Sequence, residues 1–476
     1  MSNIALRSRS VLDAILRRDL YTFVQAAFGV VSPGDSLARN WHLEAITYAL
    51  TRVLSGETRR LIITVPPRSL KSICASVAFP AFVLGQDPTR RIICVSYSEG
   101  LARKHANDGR ALMRSPLYAR AFPNTRIDAG KDTELEVATT KRGFRLATSV
   151  GGTLTGRGGN LLIIDDPLKP QEAQSETARD NLRQWYTNTL LSRLDNKAED
   201  AIVVVMQRLH VDDLVGHLLE HGGFDHLDLP AIAEVDEAVP LGPGRHHRRS
   251  VGDVLHPERE PLPVLDEIKR AMGSLEFSAQ YQQRPIPLGG NLIKWAWFKT
   301  HENAPILVPS DRIIVSWDTA MTARELSDYS ACVVLLVRHG TAFVLDVVRE
   351  RLEYPALRRK VVDVHRRSLV RNYTLLVENK GFGMSLVQDL RNDGIHAVAV
   401  DPEGDKVMRM NAETARIEGG AVSLPRRAPW LEEFKRELLA FPNGRYDDQV
   451  DALSQGLKRA FDRRGAVSCG FVVGLY

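Results

Sequence analysis

Leu161-Leu-Ile-Ile-Asp-Asp166 is four apolar residues closed by two carboxylates. A run this short, without polar alternation, reads as a strand buried on both faces. Three similar runs lie in the first half of the chain: Arg60-Leu-Ile-Ile-Thr-Val65, Arg90-Arg-Ile-Ile-Cys-Val-Ser96 and Ala201-Ile-Val-Val-Val-Met206. Helical stretches separate them, one over about residues 99–115. Continuous apolar strands alternating with helices predict an α/β domain with a parallel sheet and helices on both faces. In such a sheet the C-terminal strand ends meet at one edge, where ligands bind. Asp165 and Asp166 belong to that edge.

The loop after the first run belongs there too. Val65-Pro-Pro-Arg-Ser-Leu-Lys-Ser72 follows a strand and precedes a helix. Read as a P-loop, Pro67, Arg68, Ser69, Leu70, Lys71 and Ser72 surround the phosphates of a nucleotide. Backbone N–H groups and the helix start cradle the anion, Lys71 reaches the β- and γ-phosphates, and the Ser72 hydroxyl ligates Mg²⁺. The usual pattern has glycine where this chain has Val65 and Leu70. Alone, a Lys-Ser pair at a helix start is more often structural. The acid-ended strand changes that, because ATP hydrolysis needs one carboxylate for the metal, Asp165, and one to orient water, Asp166. Gln207-Arg208, at the end of the fourth run, either sense the γ-phosphate or merely cap the strand. Ser149–Gly158, rich in Gly, Ser and Thr, is either a mobile loop touching DNA or phosphate or an ordinary turn.

The pattern changes after Pro285-Ile-Pro-Leu-Gly-Gly290. Strands are expected at 312–318, 331–337 and 342–348, then a helix, a strand at Tyr373–Glu378 and a helix from about Met384. This is the element order of an RNase H-like nucleotidyl-transfer fold, an order shared by many α/β domains. In that fold the first and fourth strands are neighbours, so Asp318 and Glu378 come side by side. The start of a C-terminal helix adds Asp447 or Asp448 as the third acid. Asp447 is preferred, with Asp451 one turn later and Asp328 as reserves; Lys380 steadies a phosphate or pairs with the acids. Two carboxylates about 4 Å apart repel by roughly 4 kcal/mol at an effective dielectric near 20. Gathered acids therefore imply a cation, and oxygen ligands imply Mg²⁺ or Mn²⁺.

Composition bounds the rest. The chain has 476 residues, 44% hydrophobic and 25% charged, a soluble globular balance that excludes a disordered or fibrous chain. Net charge is 63 − 58 = +5, a weak hint of a polyanionic partner. Basic residues cluster in Arg358-Arg-Lys360 and Arg366-Arg367, on the outer face of a predicted helix whose inner face is Leu357, Val361 and Val364. The four cysteines are scattered, which excludes a disulfide scaffold and fits a reducing cytoplasm. No signal-peptide core opens the chain, and the longest clean apolar run, Ala331–Val337, is too short to span a membrane.

The ordered set of motifs resembles the large terminase subunit of tailed bacteriophages and of related prophages or gene-transfer elements. The likeness runs through Trp41-His42, Pro66–Ser72, Ser96-Tyr97-Ser98, Gly151–Gly158, Asp165-Asp-Pro167 and Gln207-Arg-Leu-His210. It continues through Ala279-Gln-Tyr-Gln-Gln283, Trp317-Asp-Thr-Ala320, Glu378-Asn-Lys-Gly381 and Asp447-Asp-Gln-Val-Asp451.

The resemblance implies a DNA-translocating P-loop ATPase over 1–285, with a small lid at 235–285. A linker would occupy 286–305, and an RNase H-like nuclease that cuts concatemers 306–476. It implies ATP and Mg²⁺ as cofactors, with Mn²⁺ able to serve the nuclease, and places Trp41 and His42 with the nucleotide. The expected partners are double-stranded DNA, a portal protein, a small terminase subunit and further copies in a ring on the procapsid, in a host bacterial cytoplasm. For the arginine finger, Arg68 is the first candidate, then Arg157 or an arginine of a neighbouring subunit. Competing readings are a helicase–nuclease, a recombinase built on the acidic triad, and a degenerate ATPase serving as a DNA-binding scaffold.

Overall fold

The computed structural model describes residues 3–154, 156–286, 292–319, 329–368, 372–444 and 446–462. The chain divides into two compact units, 1–286 and 287–476. Cys469, Asp328 and positions 287–290 of the Pro/Gly connector lie outside the described residues.

The first unit opens with helices α1 (Asn3–Arg18), α2 (Leu20–Val31) and α3 (Trp41–Leu54). After β1 (Arg60–Thr64), a π-helical stretch at Ile73–Ala78 runs into α4 (Phe79–Gln86). β2 (Arg91–Ser96), α5 (Glu99–Arg114), α6 (Pro116–Ala121), β3 (Ile127–Asp132), β4 (Glu136–Thr139) and β5 (Phe144–Ser149) follow. The acid-ended strand is β6 (Leu161–Asp165). Then come α7 (Glu176–Trp185), β7 (Ala201–Met206), α8 (Leu214–His221) and β8 (Asp225–Asp228). A hairpin of β9 (Glu237–Gly242) and β10 (Arg245–Arg249), then α9 (Leu262–Met272) and α10 (Ser274–Gln280), fill the stretch expected as a lid.

The eight-stranded sheet runs β3-β4-β5-β2-β6-β7-β1-β8. From β5 to β8 every pairing is parallel, and β4 and β3 extend the sheet antiparallel. Alternate residues feed opposite faces, as the two-residue period of a strand requires. Leu61, Ile63, Val203 and Val205 join one apolar core, and Ile62, Ile202 and Val204 join the other. Every residue of β6 and β7 is buried, which is why their sequences show no polar alternation.

The second unit is a mixed seven-stranded sheet ordered β11-β17-β14-β13-β12-β15-β16. β11 (Lys299–His301) is an edge strand. β12 (Arg312–Asp318), β13 (Ser330–Arg338) and β14 (Thr341–Glu350) form an antiparallel meander. α11 (Tyr354–Ser368), β15 (Tyr373–Glu378), α12 (Phe382–Asn392), β16 (Ala397–Val400), α13 (Lys406–Glu418), β17 (Val422–Pro425), α14 (Leu431–Ala440) and α15 (Asp448–Phe461) complete it. β15 lies beside β12 in parallel, Trp317 facing Val377, so Asp318 and Glu378 end adjacent strands. α15 packs on β12 closely enough that a Cβ at Gly456 would stand 3.3 Å from that of Ser316.

The expected linker over 286–305 gives way where it is described. Leu292 and Ile293 are buried, Leu292 N–H donates to the Phe441 carbonyl at 3.3 Å, and β11 pairs with β17. The apolar character of Leu292-Ile293 and the aromatics after it already mark packed chain rather than connector.

Candidate functional site

In the first unit the loop Val65–Ser72 leaves β1 at the same sheet edge where β6 ends in Asp165 and β7 gives way to Gln207. The two missing glycines have different explanations. Val65 simply prolongs β1, its N–H donating to the Met206 carbonyl at 3.3 Å, and needs no special conformation. Leu70 does take the left-handed backbone that favours glycine, φ 59°, as does Arg68, φ 62°. Leu70→Ile keeps the volume and adds a branch at Cβ, which the left-handed region tolerates worst. The added strain is expected to lower stability, read as a lower urea midpoint for the first unit. An unchanged midpoint would mean that the loop relaxes freely.

Lys71 Nζ lies 2.8 Å from Asp166 Oδ2 and 3.1 Å from Gln207 Oε1. Ser72 Oγ donates to Asp165 Oδ1 at 3.1 Å, and Ser76 Oγ donates to Asp165 Oδ2 at 2.7 Å. One oxygen of Asp165 thus faces the loop and the other is anchored behind it. His105 Nδ1 lies 3.5 Å from the anchored oxygen, and burial holds its pKa down at about 4, so the imidazole is neutral at pH 7. Burial raises both Asp165 and Asp166 above the usual carboxylate range, against the pull of Lys71. A carboxylate lifted in this way is a better proton acceptor for water. Asp166 sits at φ 45°, a strained conformation typical of functional turns.

Lys71, Ser72, Asp165, Asp166 and Gln207 are therefore brought together. Arg208 is not: its guanidinium is buried against Asp213, 3.0 Å away, and the carbonyls of His210 and Val211, where it braces the start of α8. Trp41 stacks on His247 with ring centroids 4.2 Å apart, and the Arg249 guanidinium lies 5.5 Å from its ring. His42 is buried beside His256, its Nδ1 2.8 Å from Asn40 Nδ2. Arg68 is exposed and its carbonyl accepts from Arg259, whereas Arg157 is engaged by Glu136. Ser76 and His105 were not foreseen. Ser76 lies one helical turn past Ser72, so spacing offered a signal; nothing in the sequence ties His105 to Asp165.

In the second unit the Asp318 and Glu378 side chains are hydrogen-bonded to each other. Burial and the neighbouring Glu378 lift Asp318 well above the carboxylate range. Burial also acts upward on Glu378, but the bond from Asp318 and Lys380, 3.3 Å away, bring it below its ordinary value. Of the two, Asp318 holds its proton the more firmly. A Cβ at Gly383 would stand 1.9 Å from the Glu378 carbonyl, so α12 can pack here only with glycine at that position.

The helix acids whose charge reaches Asp318 are Asp451 and Asp448. Asp447, preferred from the sequence, is engaged elsewhere, its Oδ1 2.6 Å from Lys406 Nζ. Asp451 is buried between Lys406, at 3.0 Å, and Arg409, at 2.7 Å. With two cations drawing these acids away, no three donors among the described residues converge around one point. The donor chemistry still fits a hard divalent cation, because Asp318 and Glu378 are buried oxygen donors at the ends of adjacent strands, whose mutual repulsion a cation would relieve.

Asp448 is pushed up to about 7 by burial, then by Glu437 and Asp447. Its ionised form is thus disfavoured in the fold, and stability falls as pH rises from its unfolded value near 4 through 7. Asp448→Asn, in EDTA, is expected to stabilise the second unit by about 1–2 kcal/mol at pH 8 after allowance for solvent, with no gain at pH 4. Thermal unfolding at the two pH values checks this.

The basic face of α11 is largely neutralised. Arg358 pairs with Asp393, Lys360 with Glu350 at 2.5 Å and Arg367 with Asp363 at 2.7 Å, while Arg359 and Arg366 are exposed. Leu357, Val361 and Val364 are buried, as their spacing predicts. Among the described residues no helix is long and apolar enough to cross a membrane.

A family model described as the terminase RNaseH-like domain matches residues 315–459, the part of the second unit that carries the acids. The chain is also similar to solved structures of the large terminase of a thermophilic bacteriophage. The form in complex with ADP is 9% identical with a TM-score of 0.50, over 86% of this chain and 98% of that one. The form with ATP-γ-S is 10% identical with a TM-score of 0.51, over 87% and 98%. At such identity the likeness is one of fold, and it extends over both units. No curated protein matches the sequence.

Proposed function

We propose, for a chain whose second unit carries the terminase RNase H-like domain and whose fold throughout is that of the phage large terminases, that it is the motor and nuclease subunit that packages viral DNA. One observation carries the reading: a single chain joins an ATP-type site, with Lys71 on Asp166 and Ser72 on Asp165, to a buried acid pair on adjacent strands of a separate unit.

In the motor, Lys71 leaves Asp166 for the phosphates of ATP. The N–H groups of Ser69, Leu70, Lys71 and Ser72 donate to phosphate oxygens. Asp166, freed and elevated by burial, accepts the proton of the attacking water. Gln207, released by the same move, reports the change at the end of β7. Asp165 and Ser72 would hold the Mg²⁺ that accompanies the nucleotide. The thermophilic phage's terminase was solved with ADP and with ATP-γ-S, and we carry the nucleotide over to this chain.

In the nuclease, Asp318, Glu378 and a helix acid would hold Mg²⁺ or Mn²⁺, ions that activate water and stabilise the leaving oxygen in phosphodiester cleavage. We favour Asp451 or Asp448 for the third position, with Asp447 as the alternative, once Lys406 and Arg409 turn to DNA phosphates. Lys380 neutralises Glu378 and remains within reach of a phosphate. The substrate is double-stranded DNA, gripped through its phosphates without sequence preference, as a sliding motor requires. The portal protein, the small subunit, a ring of copies and action in the host cytoplasm at the procapsid vertex complete the proposal.

The test assays one preparation twice. DNA should stimulate ATP hydrolysis, and Mn²⁺ should support plasmid cleavage. A preparation that binds DNA but neither hydrolyses ATP nor cuts would favour the scaffold reading instead.

A further inference from the structure

We propose that Glu437 is a positioning residue for the nuclease centre: it fixes the start of α15 and thereby leaves the acids there available to a cation. The inference rests on the nuclease reading above.

α15 begins at Asp448, with Asp447 as the residue before it. The first N–H groups of a helix have no partner within it, and the side chain at that preceding position ordinarily supplies one. Asp447 makes no such bond. Glu437, on α14, supplies it from outside. Its Oε1 accepts the Gln449 backbone N–H at 2.6 Å, and its Oε2 accepts from Gln449 Nε2 at 2.6 Å. The same Oε2 lies 3.1 Å from Arg349 Nε, a guanidinium whose side chain is itself only 8% exposed. Tyr329 covers that guanidinium, with its ring centroid 3.6 Å away.

Two consequences follow from this geometry. A side chain that caps a helix commits an oxygen to the backbone, and that oxygen is lost to a metal. With Glu437 doing the capping, Asp447 commits no oxygen to the helix backbone, and its partner in the resting protein is the side chain of Lys406. Gripping Gln449 by both its backbone and its side chain also fixes the rotation of the first turn about the helix axis. That rotation decides which of Asp447, Asp448 and Asp451 faces the strand end at Asp318. Glutamine at 437 could not do the same work. It offers one acceptor oxygen where both are used, and its amide would set N–H groups against Arg349 or Gln449.

The test uses the full chain without nucleotide and Mn²⁺ as the probe. Mn²⁺ binding is followed by electron paramagnetic resonance, and plasmid cleavage is titrated with Mn²⁺ alongside. Glu437→Gln is expected to raise the apparent Mn²⁺ dissociation constant about tenfold or more, the scale of losses at residues that orient metal ligands. The half-saturating Mn²⁺ for cleavage should rise in step, with cleavage at saturating Mn²⁺ reduced less and ATP hydrolysis unchanged. Gln449→Met keeps the backbone bond and loses the side-chain one, so it should move the same readings in the same direction by a smaller factor. Wild-type Mn²⁺ affinity in both folded variants, beside a wild-type chain that binds Mn²⁺ and cuts, would overturn the role of Glu437 alone. A wild-type chain that neither binds Mn²⁺ nor cuts would overturn the nuclease reading and this inference together.

Discussion

Lys71→Ala is expected to reduce ATP turnover at least about 10³-fold, some 4 kcal/mol of transition-state stabilisation, while cleavage of naked plasmid continues. Lys71 is the one cation in contact with Asp166 among the described residues, and its ammonium is largely buried beside the strand ends. In the resting protein it offsets the cost of keeping two adjacent carboxylates away from water. During hydrolysis it would offset the negative charge gathering on the phosphate oxygens. Lys71→Arg should not rescue, because a planar guanidinium cannot occupy the place of a compact ammonium between Asp166 and Gln207. Steady-state phosphate release measures the effect, and turnover within tenfold of wild type would end the assignment of residues 65–72 to a phosphate site. The nuclease reading would be untouched.

The second large effect concerns Asp318. Asp318→Ala should lower Mn²⁺-dependent nicking by about 10³-fold or more and leave ATP hydrolysis within about twofold. Glu378→Ala should do nearly the same, and the double variant little worse, since each removes half of one pair. Stability should move the opposite way. Burial and Glu378 hold Asp318 well above the carboxylate range, so its ionisation is costly in the fold and nearly free in the unfolded chain. Stability is therefore lost as pH rises from about 4, and Asp318→Asn in EDTA should raise the unfolding temperature at pH 8. A residue that merely held the fold would lose both when replaced. Nicking at the wild-type rate in Asp318→Ala would show the acid cluster to be structural.

Much of this was readable from the chain. Strands buried on both faces announce themselves as unbroken apolar runs, so β1, β2, β6 and β7 needed only their composition. Strand ends at one edge then bring Lys71 and Asp165 together by topology. The meeting of Asp318 and Glu378 followed from the order of elements in the same way. What stayed hidden was the direction of individual side chains. Asp447 and Asp451 look interchangeable on a helix, being one turn apart, until Lys406 and Arg409 arrive from α13 to claim them. Arg208 beside Gln207 looked like a second phosphate contact, but the nearby Asp213 is the stronger attraction. The cations of α11 looked like one unpaired basic face, although Asp393 and Glu350, which neutralise two of them, come from other elements. Pairings between distant segments leave no periodic trace in a sequence.

The hold of one ammonium on two strand ends has a thermodynamic corollary. Lys71 reaches Asp166 after β6 and Gln207 after β7, and the next backbone N–H, that of Arg208, donates to Gln283 Oε1 at 2.9 Å. Ligand occupancy and the placement of the Gln207 segment are then two faces of one equilibrium. If a load on Gln283 shifts that segment enough to change nucleotide affinity tenfold, nucleotide must shift the segment by the same factor, about 1.4 kcal/mol in either direction. Force applied at the far end of this short chain of contacts would be felt as a change in fuel affinity, and fuel as a change in force.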